Sequence, residues 1–284
     1  MQCGSCRHAF IGKHDFSDSQ ISRLYSDFYP RRSMKVEDYR PYEERHGLNA
    51  WLDGAKASAV SRVPRGVRVL DIGSGFGESL GFYASRNCEA WGVESDENAM
   101  PVAERYGFKV KIGTFDPLDF PANYFDVVTL EQVIEHMRDP IATLKGIRTV
   151  LKPGGVAIIS TPNSGGWGVS AFGRRWINWH APYHLHCFSR DSMCIAAERA
   201  GLHALPLGTL TPSAWLHYQW IHLATRPKPG SPSPFWGKAG YTLPERAAVK
   251  LASWLHRARV NHMITRFFDM AGVGDSHLFE LRKA

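Results

Sequence analysis

An α/β fold with a mostly parallel sheet, covered by helices on both faces, is predicted by three observations. Between residues 67 and 161, short apolar runs alternate with helix-length amphipathic segments, the pattern of successive βαβ units. The runs VVTL (127–130) and VAIIS (156–160) are almost continuously apolar, as strands buried on both faces must be. The run VRVLDI (67–72) passes directly into Gly73, Gly75 and Gly77, a turn where backbone freedom matters more than side chains.

The elements follow in order. Residues 1–47 are polar and aromatic without a sustained period, which predicts an irregular segment lying across the main domain. Trp51, Leu52, Ala55, Ala59 and Val63 recur at helical spacing, predicting a helix from Leu48 to Val63 that ends at Pro64 and Gly66. Strands are predicted at 67–72, 88–94, 108–113, 125–132 and 154–161, with helices at 77–86, 96–107 and 138–151 between them. Ser189 is placed to cap a helix that ends at Gly201, and LHALPLGTL (202–210) is the next strand. An insertion at 212–272 contains a Pro/Gly/Ser-rich link, RPKPGSPSPFWG, and a helix from Pro244 to about Met270. DSHLFELRKA closes the chain as a strand, which divides it into a segment 1–47, a core 48–211, an insertion 212–272 and a final core strand 273–284. No repeat of 20 to 50 residues is present.

Composition narrows the class. With 284 residues, 44% hydrophobic and 21% charged, the chain can bury a full core, so disorder, collagen and coiled coil are excluded. Five cysteines are an odd, scattered set and predict reduced thiols. The opening MQCGSCRHAF lacks the basic-then-apolar pattern of a secretory signal, which predicts cytoplasmic residence. The stretch from Ala200 to Thr225 carries no Asp, Glu, Lys or Arg, but prolines, histidines and hydroxyls interrupt it, so it is not read as a membrane span. Of the net charge of +7, +6 lies from residue 203 onward, where ten Lys/Arg face four Asp/Glu. Such a local surplus suits nucleic acid, anionic lipid or a phosphorylated substrate, or serves solubility alone.

The chemistry begins at VLDIGSGFGES (69–79). Glycines let a ligand touch backbone, and the following helix offers free N–H groups and a positive dipole end to an anion. The third glycine falls one position too early for a dinucleotide fingerprint, which argues against NAD. Glu94, ending the next strand about 20 residues on, can accept both hydroxyls of a ribose, so turn and acid together describe an adenosyl ligand.

VLDIGSGFG, VESD, FDVVTLEQVIEHMRDP and LKPGGVAIISTPN, in this order, resemble the successive motifs of class I S-adenosylmethionine-dependent methyltransferases over about residues 48–211. The resemblance implies a Rossmann-like seven-stranded sheet of order 3-2-1-4-5-7-6, its last strand antiparallel, with a helical insertion. It implies S-adenosylmethionine as cofactor and places Asp71, Gly73, Ser74, Gly75, Gly77, Glu94, Ser95, Thr114, Phe115, Leu130 and Glu131 around it. Gly73 and Gly75 would line the methionine part, Asp71 would help place its ammonium and Glu94 would hold the ribose. The family often reads adenine with an acid after the third strand; Thr114 beside Phe115 stands there instead.

Methyl transfer depends on positioning, helped by a base when the nucleophile carries a proton. Catalytic candidates therefore sit after the fourth and fifth strands, where an open sheet presents its carboxyl ends. They are Glu135 and His136 in one cluster, and His184, His186 and His180 in WHAPYHLHCFSR, with His184 the preferred base. The EH pair resembles the ubiquinone-pathway O-methyltransferases, and HLHCFSR resembles a segment of bacterial small-molecule and polysaccharide-cluster methyltransferases. Some O-methyltransferases hold a metal with Glu-x-x-Glu-His and a later His, but the first acid of that pattern is Gln132 here, so no metal is expected. Cys3-Gly-Ser-Cys6 followed by YSDFY resembles half of the zinc ribbon that opens related methyltransferases, and bound zinc is not expected from one pair.

Seven of nine tryptophans, Trp236 and Trp254 among them, follow the fifth strand and suit either a pocket or packing. In the basic helix after Pro244, Leu251, Trp254, Leu255 and Ala258 share a face that is expected to dock on the core as a lid, with membrane contact as the alternative. The expected reaction is O-methylation of a small-molecule or glycan acceptor, possible lipid linkage included. The rivals are a nucleic-acid methyltransferase, which is disfavoured, and a non-catalytic cofactor-binding module.

Overall fold

The computed structural model describes residues 1–11, 20, 35–54, 58–180, 182–226 and 240–283. The YSDFY segment, most of the RPKPGSPSPFWG link with Trp236, and residues 55–57 of the predicted first helix lie outside the described residues.

A short strand β1 (Ala9–Phe10) opens the chain, followed by helix α1 (Gly47–Asp53). The central units are β2 (Arg68–Ile72), α2 (Glu78–Ser85), β3 (Glu89–Glu94), α3 (Met100–Tyr106), β4 (Lys109–Ile112), β5 (Phe125–Glu131), α4 (Pro140–Val150) and β6 (Leu151–Pro162). Next come α5 (Trp167–Phe172), β7 (His186–Cys187), α6 (Arg190–Arg199), β8 (His203–Thr209), α7 (Ser213–Ala224), α8 (Leu243–Arg257), α9 (Val260–Met270) and β9 (Ser276–Arg282). The main sheet runs β4-β3-β2-β5-β6-β9-β8, which is the predicted order once its seven strands are counted along the chain. β9 is antiparallel to both β6 and β8, while the other pairings are parallel.

Local chemistry fixes most boundaries. Asp139 caps α4 by accepting from the Ala142 N–H at 2.9 Å, and Pro140 supplies the preset first turn. Ser189 caps α6 as predicted, accepting from Ser192 N while Ser192 Oγ accepts from Ser189 N. The core divides between the two sheet faces. Leu70, Leu130, Ile147, Ile159 and Phe279 belong to one apolar cluster, and Val69, Leu80, Tyr83, Ile158 and Leu278 to the other.

Three expectations change. The first predicted helix stops at Asp53, where Gly54 takes a left-handed conformation (φ 79°), and residues 60–62 form a separate single turn. The predicted helix from Pro244 to Met270 is two helices, broken where Arg259 turns left-handed (φ 64°) and pairs with Asp53 at 2.8 Å. Leu251 and Trp254 do not dock: both are exposed, and α8 buries Ala252 instead. α9 explains this, because it turns Asn261, His262, Thr265 and Arg266 inward and Met263, Phe267 and Met270 outward. Its polar face is partnered in part: Trp220 donates to Asn261 at 3.0 Å, Asp53 lies beside His262, and Asp269 and the Trp51 carbonyl surround Arg266, while Asn261 Nδ2, His262 Nδ1 and Arg266 Nε have no partner among the described residues. No helix among the described residues is long and apolar enough to cross a membrane.

Candidate active site

The glycine-rich turn lies between β2 and α2. Gly73, Gly75 and Gly77 all have positive φ, 79°, 57° and 87°, a region where a side chain costs about 1–2 kcal/mol. They differ in what surrounds them. A Cβ on Gly73 would lie 2.5 Å from Val133, and one on Gly77 would lie 2.9 Å from Phe108, whereas one on Gly75 would meet only Glu78 Oε2 at 3.6 Å. Gly73 and Gly77 are thus packing requirements, and Gly75 faces open space of the kind a cofactor fills. The N-cap of α2 is Gly77, which has no side chain to cap the helix, and the Glu78 carboxylate meets the Phe76 and Glu78 amides there.

Glu94 organises this turn from the end of β3. Its carboxylate accepts from Gly75 N at 2.9 Å, from Asp96 N at 2.8 Å and from Ser95 Oγ at 3.2 Å. Ser74 brings a buried hydroxyl with no hydrogen-bond partner, a free polar group in the same turn. Asp71 is buried beneath, with its oxygens taken by the Ser79 and Thr129 hydroxyls; burial pushes its carboxyl up to about 6. Asp71 therefore supports the turn from below. Thr114 is exposed after β4, while Phe115 packs on the core and stacks on Phe120 at 6.0 Å. Leu130 is fully buried in the β5–β6 pairing, opposite Ile159, and offers no surface to a ligand.

Beyond β5 the structure brings the two predicted catalytic clusters together. Glu135 is wholly buried and accepts from the Thr161 hydroxyl at 3.0 Å, and burial pushes its carboxyl up to about 8. His136 and His184 face each other with ring centroids 4.7 Å apart, and His180 stands 5.1 Å from His184. His136 Nδ1 meets the Tyr183 carbonyl at 2.9 Å, and His184 Nδ1 meets the Asn178 carbonyl at 2.7 Å. Since a carbonyl only accepts, both Nδ1 atoms carry the proton, which leaves each Nε2 as the lone-pair donor. Glu135, His136 and His184 place one donor atom each within 4.8 Å of one another, which brings the Glu-His pair together with a later histidine. Burial, with the neighbouring His136 and His180, holds His184 well below the usual histidine range. His186 is not brought there. It meets His8 at 3.0 Å and pairs across to β1.

A second feature, unmarked in the sequence, opens at the carboxyl ends of β5 and β6. A cavity of about 160 Å³ lies among Glu131, Gln132, Ser160 and Ser276, roofed by the Gly54 turn and Trp215. Glu131 thus borders the cavity, and its carboxylate accepts from Ala59 N at 2.5 Å. Gln132 is held in a left-handed conformation (φ 56°), which is uncommon for such a side chain. Of the tryptophans, Trp176 donates to Asp275 at 3.3 Å, Trp167 stacks on Phe268 at 4.2 Å, and Trp215 alone among them lines this cavity.

Comparison with known proteins agrees with this architecture. A family model described as a methyltransferase domain matches residues 20–207. The ubiquinone biosynthesis O-methyltransferase of Cereibacter sphaeroides is 32% identical over 149 residues, covering 48% of this chain and 60% of that protein. The enzyme of the same description from Acinetobacter baylyi is 27% identical over 135 residues, 44% of this chain and 55% of that protein. The chain thus spans about three-fifths of the length of the curated relatives it matches. Among solved structures, a Haloferax volcanii putative methyltransferase in complex with the Trm112 activator superposes with a TM-score of 0.52 at 19% identity, over 82% of this chain and 90% of that one. Haemonchus contortus phosphoethanolamine N-methyltransferase 2 in complex with S-adenosyl-L-methionine gives 0.51 at 20% identity, over 84% and 53%. With the family model spanning most of the core and the sheet order in place, the chain belongs to the methyltransferase-domain family and has the class I S-adenosylmethionine-dependent methyltransferase fold.

Proposed function

We propose that this chain transfers the methyl group of S-adenosylmethionine to an oxygen of a small-molecule or glycan acceptor. The observation that carries the cofactor half is Glu94 bridging Gly75 N and Asp96 N, with open space over Gly75. Asp71, Gly73, Ser74, Gly75, Gly77, Glu94 and Ser95 form the cradle, with the Thr114–Phe115 corner at its edge. When bound, the sulfonium supplies the methyl group; the protein orients the two partners and receives a proton. Oxygen acceptance is supported by the curated relatives, which are O-methyltransferases.

One observation favours a second reading of the histidine cluster. In place of His184 as a base, Glu135, His136 and His184 form a centre for a first-row divalent ion. Both histidines give Nδ1–H to a backbone carbonyl and present Nε2 inward, the usual orientation of metal ligands. Calorimetric titration tests both readings. S-adenosylhomocysteine should bind and NAD should not; no binding of the former overturns the cofactor assignment. Manganese or zinc should bind the wild type and lose affinity in His184→Ala, and a metal-free wild type that is active but needs His184 returns that residue to the role of base.

A further inference from the structure

Helix α9 is amphipathic with its polar side inward and its apolar side in water. Asn261, His262, Thr265 and Arg266 are buried, whereas Met263, Phe267 and Met270, at i, i+4 and i+7, are 61–78% exposed along one stripe. Helix α8 continues the pattern. Its Leu243, Leu251 and Trp254 are exposed on the side away from the buried Ala252, and the exposed Ala258 and Val260 carry the apolar surface across the break at Arg259. Leu48 and Trp51 of α1, also exposed, stand beside it, since Arg266 donates to the Trp51 carbonyl at 2.7 Å. One apolar side chain in water is ordinary; a run of them over two helices marks a surface that something covers.

Charge restricts the occupant. Arg246, Lys250 and Arg257 are exposed and follow one edge of the α8 stripe, at i, i+4 and i+11. Lys250 and Arg257 hold no hydrogen bond or ion pair among the described residues. Neither acid of the two helices offsets them: Glu245 accepts from Thr242 N at 2.7 Å in the cap of α8, and Asp269 accepts from Thr211 N at 2.9 Å and pairs with Arg266 at 2.6 Å. A second copy of the chain fits poorly, because a two-fold contact needs a self-complementary patch and this one carries a single sign. An anionic bilayer supplies both complements: hydrocarbon for Leu251, Met263 and Phe267, a headgroup level that suits the Trp254 ring, and negative charge for Lys250 and Arg257. Neither helix is long and apolar enough to cross, so the contact lies in the plane of the surface.

We infer that α8 and α9 form a docking surface for an anionic lipid bilayer, with the stripe of Leu251, Trp254, Met263 and Phe267 inserted at the interface and the basic edge on the headgroups. The contact is peripheral and reversible, because an amphipathic surface with a few cations binds far more weakly than a membrane span. It uses neither the glycine turn nor the histidine cluster, so the inference goes beyond methyl transfer and does not depend on it.

Flotation of the full chain with lipid vesicles is the test. The chain should bind vesicles of phosphatidylcholine with about one-third phosphatidylglycerol at least about tenfold more tightly than vesicles of phosphatidylcholine alone, and the difference should shrink as salt rises. Phe267→Ser and Met263→Ser change only side chains already in water, so each should lower binding by roughly three- to tenfold with the melting temperature held. Lys250→Glu combined with Arg257→Glu should weaken binding to the anionic vesicles by at least about tenfold and leave binding to phosphatidylcholine unchanged. Leu118→Ser, which alters an exposed side chain after β4, should bind as the wild type does. Absence of vesicle binding, equal binding to both compositions, wild-type binding by the α8 and α9 variants, or loss of binding in Leu118→Ser overturns the inference. A wild-type dimer that forms without lipid and dissociates in Phe267→Ser, read by sedimentation, also overturns it and assigns the face to a second copy.

Discussion

Replacing Glu94 by glutamine probes the cofactor cradle with one atom changed. The carboxylate oxygens serve two backbone amides, Gly75 N at 2.9 Å and Asp96 N at 2.8 Å, and the residue is only 5% exposed. A glutamine can accept from one of them and must turn its own NH₂ toward the other. One buried N–H is then orphaned, at about 1–3 kcal/mol, and the remaining bond loses its charge assistance, at about another 1 kcal/mol. The sum, about 2–4 kcal/mol, should lower the thermal midpoint of the ligand-free protein by roughly 5–10 °C, since about 2–4 °C accompany each kcal/mol in a chain of this size. The same change removes a charged acceptor for the ribose hydroxyls. S-adenosylhomocysteine affinity should fall by roughly ten- to a hundredfold, equivalent to about 1.5–3 kcal/mol. Scanning calorimetry and ligand titration on the purified variant read the two effects separately. A midpoint within 1–2 °C of wild type would refute the claim that Glu94 braces the turn. Unchanged affinity would refute its contact with the ligand.

Two further predictions concern the glycines and pH. Gly75→Ala should cost only the left-handed strain, about 1–2 kcal/mol, and leave a folded protein with weakened S-adenosylhomocysteine binding, because its Cβ enters open space. Gly73→Ala should destabilise more, since its Cβ falls 2.5 Å from Val133; comparable melting points for the two variants would contradict this assignment. Glu131 and Glu135 have carboxyls raised to about 7 and about 8, so the folded state holds protons that the unfolded state has released. The stability they contribute is present at acid pH and lost as pH rises through those values. Urea denaturation should therefore show stability falling from about pH 4.5 upward, by up to about 1.4 kcal/mol per pH unit for each group, and levelling off above about 7 for Glu131 and about 8 for Glu135. Glu135→Gln should flatten the slope, and a slope unchanged by that substitution would place the titration elsewhere.

The sheet and the cradle were legible in the chain because local patterns encode them. Alternating apolar runs at 67–161 predict a parallel sheet, and a Gly73–Gly75–Gly77 turn followed by Glu94 marks one edge of it as the candidate ligand site. The Ser189 cap marks its helix with a single hydroxyl. The insertion was not legible by the same rule. Its amphipathic period is real, but α9 buries its polar side, since Arg266 finds Asp269 and backbone carbonyls only when α1 and the β8–α7 corner have folded around it. Periodicity reports that a helix has two faces and not which one is inward. Likewise, Glu135 and His184 stand 49 positions apart, so their common cluster is a product of folding, as is the wall shared by Gln132 and Ser276 from β5 and β9. The sequence by itself determined the strands of the core and the glycine turn, because each is written in a local pattern, and the strand order followed from the resemblance that those motifs carry. Only the tertiary structure decided which buried acids gather and which lone pairs are left unmet, because those depend on surfaces brought together from distant segments.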